Sequence, residues 1–333
     1  MSKLKDIAKM TGLSVSTVSR ALHDSFEIGE ETKLAVAKAA SLVGYRAKKD
    51  TISKTIGLIV PDIQCNYYSE MVVQLQKQFE KKGYYLIMAI SGFSIFGIVS
   101  AMEKLITQDI CGIIVTDCYS LESEREFEEH QKILKCPIPI IRISQNDYFL
   151  AVDTIKLDEH YGTKLLVDYL YSLGHRKIGY IGEYVSDLRY HHFRKIMDDM
   201  GLDVDEKYIK RGKERAELGG YLRTLEFVNE VNNDINPATA VIVGYDQVAI
   251  GVYNALSEKG ISVPQAVSVV SYDDMILNNY LPVPLTSISF PTEELCKLTA
   301  KILLNNINNP LEHVIQNVSL QPTIMVRESA AKV

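Results

Sequence analysis

The chain has 333 residues, 47% of them hydrophobic and 23% charged, which is enough for two or three globular domains and too apolar for a disordered polymer. Its longest apolar runs, such as 56–61 and 84–90, fall short of the ~20 residues a membrane helix needs, and no unbroken apolar block follows Lys3, Lys5 and Lys9. These features exclude a bilayer span, argue against a secretory signal and place the protein in the cytoplasm. The net charge of −6 conceals a division: residues 1–55 carry ten Lys or Arg against six Asp or Glu, a net +4, which leaves −10 for the rest. A basic head suited to a polyanion therefore precedes an acidic body that would repel one.

In the head, Leu4, Ile7 and Ala8 are spaced as one face of a short helix ending near Gly12. A second helix begins behind Ser14 as N-cap, with Val18 and Ala21 or Leu22 turned inward and Val15, Ser16, Thr17, Ser19 and Arg20 outward. A third, from about Glu30 to Val43, aligns Val36, Ala40 and Val43 and covers the first two. Two short helices about a Gly-containing turn make a helix-turn-helix. Short polar side chains with one arginine suit the second helix to a major groove, and Arg20 is the candidate reader of a guanine. A helical hairpin with solvated Ser and Thr is the competing reading.

From Ile56 onward, β-rich runs (IGLIV at 56, YYLIMAI at 84, CGIIV at 111, IPIIRI at 138) alternate with helical segments. A second series (KIGYI at 177, AVIVG at 240, VSVVSYDD at 267) is interleaved with helices such as 158–173 and 247–259. This alternation predicts two α/β lobes with parallel sheets. Neither lobe holds a G-x-G-x-x-G or G-x-x-x-x-G-K-[ST] loop, which argues against dinucleotide or triphosphate chemistry. The acidic run 121–129 reads as a solvated helix face. Five cysteines without a C-x-x-C pair read as reduced, packed thiols, and no metal or other cofactor is implied.

The run DIAKMTGLSVSTVSRAL, followed by ETKLAVAKAASLVGY, resembles the amino-terminal DNA-binding domain of the LacI/GalR family of bacterial transcription regulators. The segments LYSLGHRKIGYIG, INPATAVIVGYDQVAIGVYNAL and VSVVSYDD before VPLTSI resemble the family's periplasmic-binding-protein-like effector domain, so the likeness covers nearly the whole chain. It implies an all-α helix-turn-helix domain at 1–46, a linker at 47–55 and a two-lobed α/β effector domain at 56–329. The amino lobe would take about 56–152 with 280–310, the carboxyl lobe about 153–279 with 311–329, and the chain would cross between them three times. By the same likeness, Ser14, Val15, Ser16, Thr17, Ser19, Arg20 and His23 contact bases or phosphates, and Tyr45 contacts the DNA backbone. One departure stands out. Family members continue with a hinge helix of the type N-x-x-A-R-x-L, whose Leu wedges into the minor groove, whereas here RAKKDTISKT leads directly to the first strand. A shortened linker is expected instead, either one in which Arg46, Lys48 and Lys49 hold phosphate or a solvated flexible tether.

For the effector, the resemblance implies that Asp273 accepts hydrogen bonds from sugar hydroxyls and that Arg189 grips ligand oxygens with its planar fork. It also implies that Tyr67 and Tyr68 line the cleft. Ser144, Tyr245 and Phe290 stand where Asp, Asn and a polar residue are frequent, so a less acidic, more aromatic cleft is expected. The stretch around Asp187 and Arg189 is similar to galactoside-sensing members. The implied protein is a dimeric repressor binding double-stranded operator DNA under control of a small carbohydrate; the apolar residues around Met71 to Phe79 are either a homodimer contact or a helix face packed within its own lobe. Nothing in the sequence supports catalysis: His191 and His192 are adjacent and diverge on a helix, and neither H-E-x-x-H nor G-x-S-x-G occurs. The alternatives are a soluble sugar-binding module serving a transporter and a sugar-modifying enzyme with a DNA-binding head.

Overall fold

The structure is a computed structural model that describes residues 3–22, 25, 27–42, 53–117, 123–144, 151–184 and 187–333, with the side chains of residues 3, 41, 42 and 187 outside the description. The chain divides into two units, Met1–Ser53 and Lys54–Val333.

The first unit packs α1 (Lys3–Thr11), α2 (Val15–Leu22) and α3 (Glu30–Leu42) around Ile7, Ala8, Val18, Ala21, Val36, Ala39 and Ala40. Gly12 takes a φ of 69°, a left-handed conformation that lets α2 start two residues after the turn. Ser14 caps α2: its hydroxyl accepts from Thr17 N–H at 3.0 Å.

The second unit contains two six-stranded sheets. Its amino part supplies β1 (Thr55–Val60), α4 (Asn66–Glu80), β2 (Tyr85–Ile90), α5 (Ile95–Ile106), β3 (Gly112–Asp117), α6 (Glu124–Leu134), β4 (Ile140–Ser144) and β5 (Asp153–Leu157). The chain continues through α7 (Glu159–Ser172), β6 (Ile178–Glu183), α8 (Asp187–Asp199), β7 (Ile209–Gly212), α9 (Ala216–Asn232), β8 (Ala240–Val243), α10 (Asp246–Glu258) and β9 (Ser268–Tyr272). It ends with β10 (Thr286–Ser289), α11 (Thr292–Asn308), β11 (Asn317–Leu320) and β12 (Thr323–Met325). Strand order is β11-β5-β4-β3-β1-β2 in one sheet and β12-β10-β9-β8-β6-β7 in the other. All neighbouring strands run parallel except the antiparallel pair β10 and β12.

This pairing corrects the expected lobe boundaries. A strand belongs to the sheet that satisfies its backbone groups, and β5 pairs with β4, β11 with β5, and β10 with β9. Residues 153–157 and 317–320 therefore join the amino lobe, and 286–289 the carboxyl lobe. The three crossings fall between β5 and α7, β10 and α11, and β11 and β12. β5 carries Asp153, which looks unsuited to an interior. Its buried carboxylate accepts from Gln316 N–H at 2.9 Å, and His313 Nε2 lies 2.9 Å from it, which ties β5 to the approach to β11. The run 121–129 leads into α6, opened by a capping box between Ser123 and Glu126.

Glycines set the spacing of α9 and α10. A Cβ on Gly251 would stand 1.9 Å from Glu217 O, and one on Gly220 2.0 Å from Val248 O. Backbone contact at both positions fixes the amino ends of the two helices beside each other.

Of the two readings of the helix around Met71 to Phe79, packing within its own lobe holds for Met71, Leu75 and Phe79, which are fully buried. The opposite face of α4 shows Val73, 51% exposed. Leu75→Ala is accordingly expected to cost about 2–5 kcal/mol, whereas Val73→Ala should stay within about 0.5 kcal/mol. Urea unfolding of the two variants measures the difference, and equal losses would contradict the assigned helix face.

Candidate functional site

In the head, Val15 is 41% exposed and Ser16 and Arg20 are exposed, so the outer face of α2 is available. Ser14, however, is occupied as a cap, and its hydroxyl also lies 2.8 Å from both Ser16 Oγ and Thr17 Oγ1. Arg20 Nη1 is 3.0 Å from Glu27 Oε2 in an exposed ion pair, which the arginine must leave to reach a base. Ser19 is half-buried beside them. His23, Tyr45, Lys48 and Lys49 lie outside the described residues.

In the second unit, Glu70 of the amino lobe lines one cavity between the lobes with Asp273, Asp274 and Phe290 of the carboxyl lobe. On the carboxyl-lobe side Asp273 is held by Arg189, at the start of α8. The buried guanidinium donates from Nε and Nη2 to the two oxygens of Glu159 at 2.8 and 2.9 Å, from Nη2 to Asp273 Oδ1 at 3.1 Å and from Nη1 to Gly244 O at 2.8 Å. It also lies over the Tyr272 ring, 4.5 Å from its centroid, and 5.7 Å from that of Phe290. Burial alone would lower Arg189, but the charges of Glu159 and Asp273 hold it well above its ordinary value, so it stays a cation. Burial pushes both carboxyls up, against the pull of the guanidinium. Asp273 adopts a φ of 95°, a left-handed conformation that costs energy for any residue with a Cβ and turns its carboxylate back onto Arg189.

Tyr67, opening α4 from the amino lobe, belongs to the same site. Its phenol is raised by burial and by the charges of Asp273 and Glu159. Tyr68 packs in the core, meets Tyr67 edge-on at 5.1 Å and lines a small cavity with Tyr67, Asp117 and Ser144. Ser144 ends β4 directly opposite Asp117 at the end of β3 and donates to Asp117 Oδ1 at 2.5 Å. The wholly buried Arg142 donates to Asp117 Oδ2 at 2.5 and 2.8 Å. Asp117 thus brings a carboxylate to the strand next to Ser144, but Arg142 pairs with one of its oxygens and Ser144 holds the other. Tyr245 precedes α10, and its hydroxyl donates to Glu183 Oε1 at 2.5 Å. Glu183 Oε1 also accepts Ala216 N–H at 2.5 Å, and Glu183 Oε2 accepts from Arg215 Nε at 3.2 Å. Asp187 opens α8, but its side chain is outside the description.

The sequence reading missed Asp117, Glu159, Glu183 and Arg215. Asp117 and Glu183 each end an apolar strand, as Asp273 nearly does, and that position was a readable signal. Glu159 looks like any first-turn helix acid. Among the described residues no three His, Cys, Asp or Glu side chains assemble as a metal site, and no helix is long and apolar enough to cross a membrane.

Asp246 underpins the Asp273 loop, accepting from Met275 N–H at 2.8 Å, Asn278 Nδ2 at 2.6 Å and Ser287 Oγ at 2.8 Å. Burial, with the charge of Asp273 adding, nevertheless pushes it up to about 7 from 3.8. The folded chain then holds a proton that the unfolded chain releases, so this group makes stability fall as pH rises from about 4 to about 7. Asp246→Asn should lessen that slope, measured as urea unfolding free energies at pH 5 and 7.5. An unchanged slope would assign the proton elsewhere.

Comparison with known proteins agrees with both halves. Residues 3–48 match the model of bacterial regulatory proteins of the lacI family, and residues 167–330 that of the periplasmic binding protein-like domain. A transcriptional repressor PurR of the helix-turn-helix type from Glaesserella parasuis serovar 5 (strain SH0165) is 29% identical over 99% of this chain and 98% of its own length. The ribose operon repressor of Haemophilus influenzae (strain ATCC 51907 / DSM 11121 / KW20 / Rd) is 27% identical over the same shares. Among solved structures, the lac repressor dimer bound to operator and the anti-inducer ONPF superposes with a TM-score of 0.73 at 23% identity, over 98% of both chains. A LacI family transcriptional regulator from Enterococcus faecium with bound ribose superposes at 0.70 and 25% identity, over 84% of this chain and 99% of its own.

Proposed function

Since this chain belongs to the lacI family of bacterial regulatory proteins, we propose that it is a transcription repressor whose helix-turn-helix head binds double-stranded operator DNA and whose cleft takes a small carbohydrate. The observation that carries the effector class is the state of Arg189 and Asp273. A guanidinium has five N–H donors, and four are engaged by Glu159, Asp273 and Gly244. Among the described residues one Nη1 hydrogen and Asp273 Oδ2 are left without a partner, a donor and an acceptor within one ion-paired group. Adjacent sugar hydroxyls, each able to donate and accept, match such a pair, and the aromatic faces of Tyr67 and Phe290 suit the C–H side of a sugar ring. The likeness around Asp187 and Arg189 favours a galactoside, and the bound ribose of the Enterococcus faecium relative makes pentoses the comparison to include.

The protein acts as a binding and regulatory molecule in this reading, because Arg189 draws Glu159 and Asp273 into one ion-paired group that presents hydrogen-bonding atoms to a ligand. A homodimer is the assembly, since one head reads few base pairs and a pair reads a palindrome. The edge strand β2 offers a contact, with Tyr85 65%, Ile87 40%, Met88 41% and Ile90 55% exposed along an unpaired rim.

Calorimetry against a panel of galactosides, pentoses and hexoses, with and without a genomic fragment selected by the protein, tests the whole reading. Saturable binding of one sugar that shifts DNA affinity supports it, and selective DNA binding indifferent to every sugar would remove the carbohydrate. Asp273→Ala is expected to abolish the sugar response while leaving DNA binding intact. Arg20→Ala should cost about 1–3 kcal/mol of discrimination between operator and random duplex, read by competition at fixed salt. A preserved ratio would show that Arg20 contacts phosphate instead.

A further inference from the structure

One side chain reaches from the carboxyl lobe to the amino lobe at the rim of the cleft. Arg215, in the turn between β7 and α9, donates from Nη1 to Asp62 Oδ2 at 3.2 Å, and its guanidinium lies 4.1 Å from the centroid of the Phe93 ring. Asp62 follows β1 and Phe93 follows β2, so both partners belong to the other lobe. Its own lobe steadies Arg215 through Glu183 Oε2 at 3.2 Å, and Glu183 in turn holds the Tyr245 hydroxyl.

Topology gives this contact leverage. The crossings use β5 and β11 at one margin of the amino sheet, and β10 and β12 at the corresponding margin of the carboxyl sheet. Strands β1, β2 and β7 lie at or next to the opposite margins. Arg215 thus bridges the lobes on the side away from the three chain crossings, where a given opening angle separates atoms most. Two residues beside the bridge, Phe93 and Ala216, hold φ values of 55° and 52°. Such left-handed backbone at residues with a Cβ persists only where the surroundings impose it. The bridge also connects to the ligand wall: Arg189 donates to Gly244 O, the next residue is Tyr245, and its hydroxyl shares Glu183 with Arg215.

We infer that Arg215, with Asp62 and Phe93, is a clasp that holds the cleft closed and sets how tightly an effector is retained. This deepens the proposed effector site and rests on it for the affinity arm alone. Arg215 is a positioning residue: it acts on the ligand by fixing the lobes and by supporting Tyr245 through Glu183. Its pair with Asp62 is partly exposed, with side-chain exposures of 38% and 20%, so water can replace it as the cleft opens. Exposed pairs of this kind shift equilibria by about two- to fivefold.

The test uses the full chain and three variants, Arg215→Met, Asp62→Asn and both together. Without effector, amide hydrogen exchange is followed in the turns carrying Asp62 and Phe93 and in that carrying Arg215 and Ala216. Each single change is expected to speed exchange on both sides of the cleft, including the lobe that was not altered, by about two- to fivefold, and the double variant should be no faster than Arg215→Met. Effector affinity, measured with the sugar identified by calorimetry, should weaken by a similar factor and less than additively in the double variant. Faster exchange confined to the altered lobe, or additive effects of the two changes, would overturn the clasp. If no sugar binds, the carbohydrate reading fails, while the exchange measurements still decide whether Arg215 holds the lobes.

Discussion

A guanidinium taken out of water must be neutralised where it sits, because an unpaired buried charge costs several kcal/mol even after the surroundings relax. The structure meets that demand separately in each lobe. Arg189 finds Glu159, Asp273 and Gly244 O within the carboxyl lobe, and Arg142 finds Asp117 and Ser144 within the amino lobe. Neither buried cation depends on the other lobe for its counter-charge. The cleft can therefore open without stripping a buried pair, and each lobe carries its half of the ligand site through the motion intact. Arg215 and Asp62 form an ion pair across the lobes instead, and both are accessible enough to be rehydrated when they part.

That division explains where the backbone is strained. Asp273 presents one carboxylate oxygen to Arg189 from a left-handed backbone at the exit of β9. Asp246 holds the following loop through three hydrogen bonds, although burial disfavours its charged form. Two carboxyls near each other in an enclosed site lose stability as both ionise, and the three hydrogen bonds to Asp246 offset part of that loss. Stability is lower here so that geometry can be fixed, as is common where a binding group is pre-oriented before its ligand arrives.

How far the sequence revealed this depends on the kind of signal. The three helices of the head followed from apolar spacing about Gly12 and from Ser14, since local chemistry alone decides a cap. The buried strands β1, β3, β6, β8 and β9 were legible as uninterrupted β-branched runs, as expected for a parallel sheet covered on both faces. β5, β10, β11 and β12 were not recognised, and lobe membership was misplaced with them, because a short or polar strand earns its place from a distant partner. Asp153 is the clear instance: it is a buried strand residue only because Gln316 and His313 come to it from far along the chain. The site shows the same limit. Arg189 and Asp273 were found by resemblance, but Glu159 pairs with an arginine thirty residues away and the clasp joins Asp62 to Arg215, and no local pattern encodes either distance.

A weak clasp also suits a regulator better than a strong one. Coupling between two binding sites can be no larger than the difference in affinity a ligand shows for two states, and typical values are about 1–3 kcal/mol. Reversing an equilibrium from 1:99 to 99:1 needs about 5.5 kcal/mol of differential binding, which a small sugar held by a few hydrogen bonds does not supply readily. A partly exposed ion pair, worth about 1 kcal/mol or less, biases the lobes without committing them. The closed state then stays within reach of the free energy offered by one N–H of Arg189, one oxygen of Asp273 and an aromatic face. Had evolution closed the cleft with a buried pair like that of Arg142 and Asp117, opening would expose uncompensated charge, and the effector would have little left to decide.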